Sequence, residues 1–336
     1  MILAGIAGYQ ALRWAQSPVA SGPLKPPPKL VVIPEGSSFQ QVASLLKQES
    51  LIRSRSVFLL LGKAHDSDRK IRPGEYELDA GMTPEEILGK LLAGKVVMHP
   101  VTIPEGYTLA QITEVMGQQN VTDTAEFARL VRDRAFIASL GIEADSLEGY
   151  LFPETYYFAR GTKAKDVIRM MVDGLQHVWT AELQEQAARL RLSLHQVLTL
   201  ASVIEKETGA KEERELIAAV FHNRLKKKIP LQSDPTVIYG LPAFDGNIHK
   251  RDLSSHSPYN TYRVQGLPPG PIASPGAHAI RATLFPAQAP YLYFVSRNDG
   301  THHFSSTLEE HNRAVEKYQK EPFRKRARGS LVAHGA

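Results

Sequence analysis

Two glutamates, Glu205 and Glu207, stand in residues 198–209, LTLASVIEKETG, a stretch that otherwise reads as a buried helix. At about 100° per residue, positions 193–208 put Leu194, Val197, Leu198, Leu200, Ala201, Val203 and Ile204 on one apolar arc, with His195, Thr199, Ser202 and Lys206 opposite. Lys206 is predicted to face water. Glu205 falls between Leu194 and Leu198 on this wheel and Glu207 falls near Leu200 and Val203, so both carboxyls point toward apolar surroundings. Burial disfavours the charged form and raises a carboxyl pKa, which lets a glutamate keep its proton near neutral pH and act as a general acid. The same pattern fits a helix-end glutamate paired with an arginine for structural reasons alone. Periodicity leaves both readings open, and with them the choice between the two glutamates.

Composition removes several other chemistries. The chain has no cysteine, which excludes disulfides, thiolate zinc sites and a cysteine nucleophile, and which fits an oxidising compartment without demanding one. No HExxH, Walker A, GxGxxG or GxSxG motif is present. His302 and His303 are adjacent on a predicted strand and point to opposite faces, while His249 and His256 lack partners at ligand spacing, so neither a metal nor a cofactor is expected. The net charge of +5 comes largely from 226–228 and from Arg324, Lys325, Arg326 and Arg328, read as a solvated helix end and a tail. Without interleaved aromatic and basic residues, no nucleic-acid partner is expected. What remains is carboxylate chemistry on a sugar polymer, in which a buried acid protonates a glycosidic oxygen. Asp234 in QSDPT is the best second carboxylate, and Asp before Pro is equally an ordinary turn former.

The elements that must position these residues are legible in outline. A chain of 336 residues suggests two compact units plus an appendage. Residues 1–16 are apolar but interrupted by Gln10 and Arg13, and are expected to be an N-terminal membrane anchor, although the run is short for a span. Residues 17–29, with Pro18, Pro23, Pro26, Pro27 and Pro28, read as a semi-rigid tether. An internal repeat follows: VIPEGSSFQQV at 32–42 matches TIPEGYTLAQI at 102–112, each a short strand, a turn and a Ser- or Thr-capped helix. Between them, 74–94 repeats the order, with Thr83 as cap and Pro84 at the first helical position. Residues 30–100 are thus expected to form a small α+β module and 101–320 a mixed helical and short-strand catalytic domain, with 321–336 a basic disordered tail.

Within the larger part, LEGYLFPETYY at 147–157 interrupts helices with aromatics that either line a sugar-binding cleft or plug the space between helices. Residues 211–228 form a helix with acidic residues first and lysines last, an order that complements its dipole. PYLYFV at 290–295 and THHFS at 301–305 read as a hairpin turned at Asn298, Asp299 and Gly300, before a last helix over 307–320.

In order along the chain, EGYLFPETYYF, LTLASVIEKETG, ERELIAAVFHNRL, PLQSDPTVIYGL, SPYNTY, GLPPGPIASPG and PYLYFV, with the IPEG units, resemble the endolytic murein transglycosylase (YceG-like) family over about residues 30–320. The resemblance implies a bacterial inner-membrane protein, held by one transmembrane helix, with a LysM-like module and a periplasmic catalytic domain. It implies cleavage within peptidoglycan glycan strands, between N-acetylmuramic acid and N-acetylglucosamine, leaving 1,6-anhydro ends, and association with peptidoglycan synthases. It places the catalytic glutamate on Glu205, and Gln232, Asp234, Thr236, Tyr259, Asn260, Thr261 and Tyr262 along the cleft. Two alternatives remain: a hydrolase with Glu205 as acid and Asp234 as base, and a non-catalytic wall-binding scaffold.

Overall fold

The two IPEG turns are built alike. In each, a glycine takes a left-handed conformation, Gly36 at φ 76° and Gly106 at φ 77°. A hydroxyl residue, Ser38 or Thr108, then caps the helix through a reciprocal capping box with Gln41 or Gln111. The same device, Thr83 with Glu86, starts the helix between them, with Pro84 at its first position.

The computed structural model describes residues 2–20, 27–65 and 71–321. These residues mix helices with small two-stranded sheets, an α+β architecture, and divide into two units. The first unit runs mainly through Val101 and contains α1 (Ile2–Gln16), β1 (Lys29–Ile33), α2 (Phe39–Gln48), α3 (Arg55–Ala64), β2 (Gly74–Leu78) and α4 (Pro84–Leu92). Strands β1 and β2 pair antiparallel, from Lys29 opposite Leu78 to Ile33 opposite Gly74. Alternation along them turns Val31, Ile33, Tyr76 and Leu78 into a core shared with Phe39, Leu46, Phe58, Ile87 and Leu91. Phe39 and Phe58 stack there with ring centres 5.4 Å apart. The expected anchor is a helix, but α1 has only 15 residues, and no helix among the described residues is long and apolar enough to cross a membrane. Next to it, Arg53 lies over the Trp14 ring and donates to the Pro18 and Val19 carbonyls, fixing the start of the expected tether. Pro23 and Pro26 of that tether, and the expected tail from 322 onward, lie outside the described residues.

Strand β3 (His99–Thr102) leads into the larger second unit. There follow α5 (Leu109–Gln118), α6 (Thr124–Leu130), α7 (Arg134–Ser139), β4 (Thr155–Phe158), α8 (Ala164–Val178), α9 (Ala181–Leu190) and α10 (Leu194–Glu207). Then come α11 (Arg214–Lys226), α12 (Asp234–Tyr239), α13 (Ala277–Leu284), β5 (Tyr293–Ser296), β6 (His302–Ser305) and α14 (Leu308–Val315). The hairpin β5–β6 forms as expected, with Asn298 and Gly300 both at positive φ in its turn.

Helix α10 is the spine of this unit and packs against α11, α12 and α13. Its Leu200, Val203 and Ile204 join Ile217, Phe221, Leu231 and Ile272 in one apolar cluster. Each such fully buried side chain contributes about 1.5–3 kcal/mol. The face assigned to solvent is not all solvated: Thr199 and Ser202 are buried, while Lys206 is exposed. The loop at 266–276 covers that face, and Ser202 Oγ accepts the Ile272 N–H at 3.0 Å and donates to the Thr199 carbonyl at 2.8 Å. A small hydroxyl can be buried on a helix when its own backbone accepts its proton, which the apolar arc could not register.

Candidate active site

Glu205 and Glu207 lie at the C-terminal end of α10, which starts at the Ser193 capping box. Glu205 is enclosed by three segments. From α11, Arg214 Nη2 donates to Glu205 Oε1 at 2.5 Å, with both side chains only 5% exposed. From the residue capping α13, the Gly276 N–H donates to Glu205 Oε2 at 3.0 Å. From the second IPEG turn, Glu105 Oε2 lies 3.5 Å from the same Arg214 Nη2. That turn is tied in place: the Gly106 N–H donates to the Ser274 carbonyl, the Ser274 N–H donates to the Tyr107 carbonyl, and Lys206 Nζ reaches the Gly106 carbonyl.

The arginine partner anticipated by the structural reading is therefore present. Even so, the Glu205 pKa is raised above the ordinary carboxyl value. Desolvation is the largest cause and the Glu105 charge adds to it, against the Gly276 N–H, Arg214 and Lys206.

Glu207 faces a different set of partners. Ser233 Oγ donates to its Oε1 at 2.5 Å, and desolvation raises its pKa to about 7, with the nearby Asp234 charge acting in the same direction. The residues picked from the two loop motifs gather on this side. Asp234 opens α12 and accepts the Tyr262 hydroxyl at 2.7 Å, so the turn-former and second-carboxylate readings describe one exposed side chain. Gln232 sits at φ 52°, its Oε1 taking Arg224 Nη1 at 3.1 Å and its N–H donating to the Thr261 carbonyl.

Thr236, Asn260 and Thr261 are fully buried and hold the loops together rather than lining open space. Thr261 Oγ1 accepts the Ser233 N–H at 3.0 Å and lies 2.8 Å from Thr236 Oγ1. Asn260 Nδ2 donates to the Leu253 and Ser255 carbonyls, and its Oδ1 accepts the Tyr262 N–H. The remaining motif residue, Tyr259, stacks obliquely on Tyr239 with ring centres 4.8 Å apart.

Tyr259 also lines a cavity of about 450 Å³ together with Asp145, Glu148, His195 and Pro271. Glu148, not singled out from the sequence, is buried there. It accepts the Leu109 N–H and the Tyr239 hydroxyl, each at 3.0 Å, and desolvation raises its pKa to about 7. His195 Nε2 faces the Pro269 carbonyl at 2.8 Å, so in the neutral ring that nitrogen carries the proton and Nδ1 accepts from the Tyr150 hydroxyl at 2.9 Å. Tyr150, Phe152 and Tyr156 are buried, as a plug between helices requires, while Tyr157 is exposed.

Among the described residues, no group of three or more His, Asp or Glu could hold a metal ion. The histidine pair is engaged otherwise, His302 with Glu213 at 2.6 Å and His303 beside the Tyr318 ring. The site thus offers carboxyl proton transfer in a desolvated setting. Arg214, Glu105, Ser233 and Glu148 were missed from the sequence because no spacing marks them. Each nevertheless lies inside a motif: Glu105 in the repeated turn, Glu148 in LEGYLFPETYY, Arg214 in ERELIAAVFHNRL and Ser233 in PLQSDPTVIYGL.

Comparison with known proteins shows the family. The YceG-like family model matches residues 31–317. The chain belongs to the YceG-like family. Among its relatives is the endolytic murein transglycosylase of Bacillus subtilis (strain 168), 36% identical over 302 residues, which cover 85% of this chain and 83% of that protein. The protein of the same name from Streptococcus pneumoniae serotype 2 is 31% identical over 344 residues, covering 93% of this chain and 62% of that protein. A crystal structure of a YceG-like protein from Listeria monocytogenes, 36% identical, superposes with a TM-score of 0.59 over 85% of this chain and 98% of that one.

Proposed function

We propose that this YceG-like chain is a lytic transglycosylase that cuts within the glycan strands of peptidoglycan, with Glu205 as general acid and then general base. Glu205 gives its proton to the glycosidic oxygen as the bond from the muramic anomeric carbon breaks. The muramic 6-hydroxyl then bonds to that carbon and returns its proton to Glu205, leaving a 1,6-anhydro end and no net change in the enzyme. The observation that supports carboxyl acid catalysis is that Glu205 is desolvated, with a raised pKa, although an arginine touches it; the choice of Glu205 over Glu207 rests on the resemblance of the EKE motif.

The shared name of the relatives supports the substrate class. An envelope location follows from that substrate. A LysM-like, glycan-holding role for residues 30–100, a membrane anchor over 1–16 and a link to peptidoglycan synthases belong to the same proposal.

A second reading makes Glu207 the acid, because its pKa lies at about 7 and Gln232, Asp234 and Tyr262 lie on its side. Mass spectrometry of digested glycan strands tests both. Glu205→Gln is expected to abolish anhydro ends while the chain still melts as a folded protein. Near-normal cleavage by that variant, with loss in Glu207→Gln, transfers the role to Glu207. Reducing ends from the unaltered enzyme would indicate a hydrolase instead.

A further inference from the structure

A single nitrogen, Arg214 Nη2, reaches both Glu205 at 2.5 Å and Glu105 at 3.5 Å. The rest of the guanidinium is unspent: Nε and Nη1 are buried with no hydrogen-bond partner among the described residues. An arginine committed to one carboxylate would use its fork, because bidentate pairing is the stronger geometry and buried unpaired N–H groups are costly. The spare donors let this guanidinium turn from one carboxyl to the other.

The backbone encloses the Glu205 carboxyl, and the Glu105 side chain, 38% exposed, lies against the same segment. Gly276 donates to Glu205 and leaves no room for a side chain, since a Cβ there would overlap the Glu105 carboxyl. The IPEG turn that carries Glu105 is fastened to Ser274 and to Lys206. The charged and polar groups facing Glu205 are thus Arg214 from α11, Glu105 from the turn, Lys206 from α10 itself and the Gly276 N–H ahead of α13.

A general acid beside an unopposed arginine would lose its proton too early, because an adjacent positive charge favours the carboxylate. We infer that Glu105 is a positioning residue of the active site, holding Arg214 while Glu205 carries its proton and yielding it when Glu205 becomes a carboxylate. This rests on the reading of Glu205 as the acid. The device places the arginine's stabilisation after proton donation, where the emerging negative charge needs it. It also gives the second IPEG motif a chemical role that its turn geometry alone does not require.

The test uses the full chain with Glu105→Gln and Glu105→Asp. Two quantities are measured: the pH dependence of glycan cleavage, and the titration of the Glu205 carboxyl followed by carbon-13 NMR. Removing the Glu105 charge leaves Arg214 to Glu205 alone. In Glu105→Gln, the Glu205 midpoint and the basic limb of the rate profile are therefore expected to move to lower pH together. Cleavage above the limb should fall about tenfold, with recovery on acidification. Glu105→Asp should stay close to the parent. An unmoved Glu205 midpoint in a folded Glu105→Gln variant, or a loss of rate equal at every pH, overturns the inference. A moved midpoint with an unmoved rate profile overturns Glu205 as the acid, and the role of Glu105 with it.

Discussion

Glu205 and Glu207 lie two positions apart on α10 and face different partners, Arg214 with the Gly276 N–H for the first and the Ser233 hydroxyl for the second. Two helical positions turn a side chain by about 200°, so adjacent odd residues of one motif reach opposite flanks of the helix. The IPEG turn and the start of α13 close one flank. The QSDPT and SPYNTY loops close the other, cross-linked through Thr236 and Thr261. A motif that reads as one feature in sequence thus supports two desolvated carboxyls with separate surroundings.

Desolvation of these acids has a signed effect on stability. Glu148 and Glu207 both titrate at about 7 in the folded chain, against an ordinary value of 4.5. Between those values the folded state binds more protons than the unfolded state, so stability falls as pH rises from about 4.5 to about 7 and levels off above. Each residue contributes up to about 3 kcal/mol to this fall. Urea denaturation across the window should show a shallower decline in Glu148→Gln than in the parent; identical slopes would contradict the assignment.

The local elements were legible because their signals are local. The capping residues Ser38, Thr83 and Thr108 and the β5–β6 turn each follow from a few neighbouring residues. The helix carrying the two glutamates, and the arc that buries them, followed from periodicity. What periodicity could not supply was long-range pairing. Arg214 meets Glu105 across 109 positions, and Glu148 meets Tyr239 across 91. It also misplaced Thr199 and Ser202, whose hydroxyls are satisfied within the helix or by the loop that covers them. The membrane anchor was read from composition at a segment whose helix is 15 residues long.

Asp234 provides a separate test of reaction type. A hydrolase using Asp234 as base for water should lose essentially all turnover in Asp234→Asn. As a transglycosylase needs no second carboxylate, the expected outcome is continued formation of anhydro ends at a rate within about tenfold of the parent. The modest loss comes from weakening the contact with the Tyr262 hydroxyl, which holds the two loops together. Mass spectrometry of the products and initial rates decide between these outcomes, and complete inactivity of a folded variant would favour the hydrolase.

The paired IPEG turns allow backbone strain to be separated from chemistry. Alanine at Gly36 or Gly106 must adopt φ near +76° or +77°, which costs about 1–2 kcal/mol in either place. Space is not the difficulty: nothing lies within 4 Å of a Cβ at Gly36, and at Gly106 the nearest atoms, Lys206 Cδ at 3.5 Å and Glu205 Cγ at 3.7 Å, are in ordinary contact. The two variants should therefore lose similar stability in thermal melts. Their activities should diverge, because relaxation of the second turn moves Glu105 relative to Arg214 and loosens the Ser274 and Lys206 ties beside Glu205, whereas among the described residues nothing lies within 4 Å of a Cβ on the first turn's glycine. Gly106→Ala is expected to cut glycan several-fold more slowly and Gly36→Ala at nearly the parental rate. Equal rates for the two would show that the second turn is only a helix start.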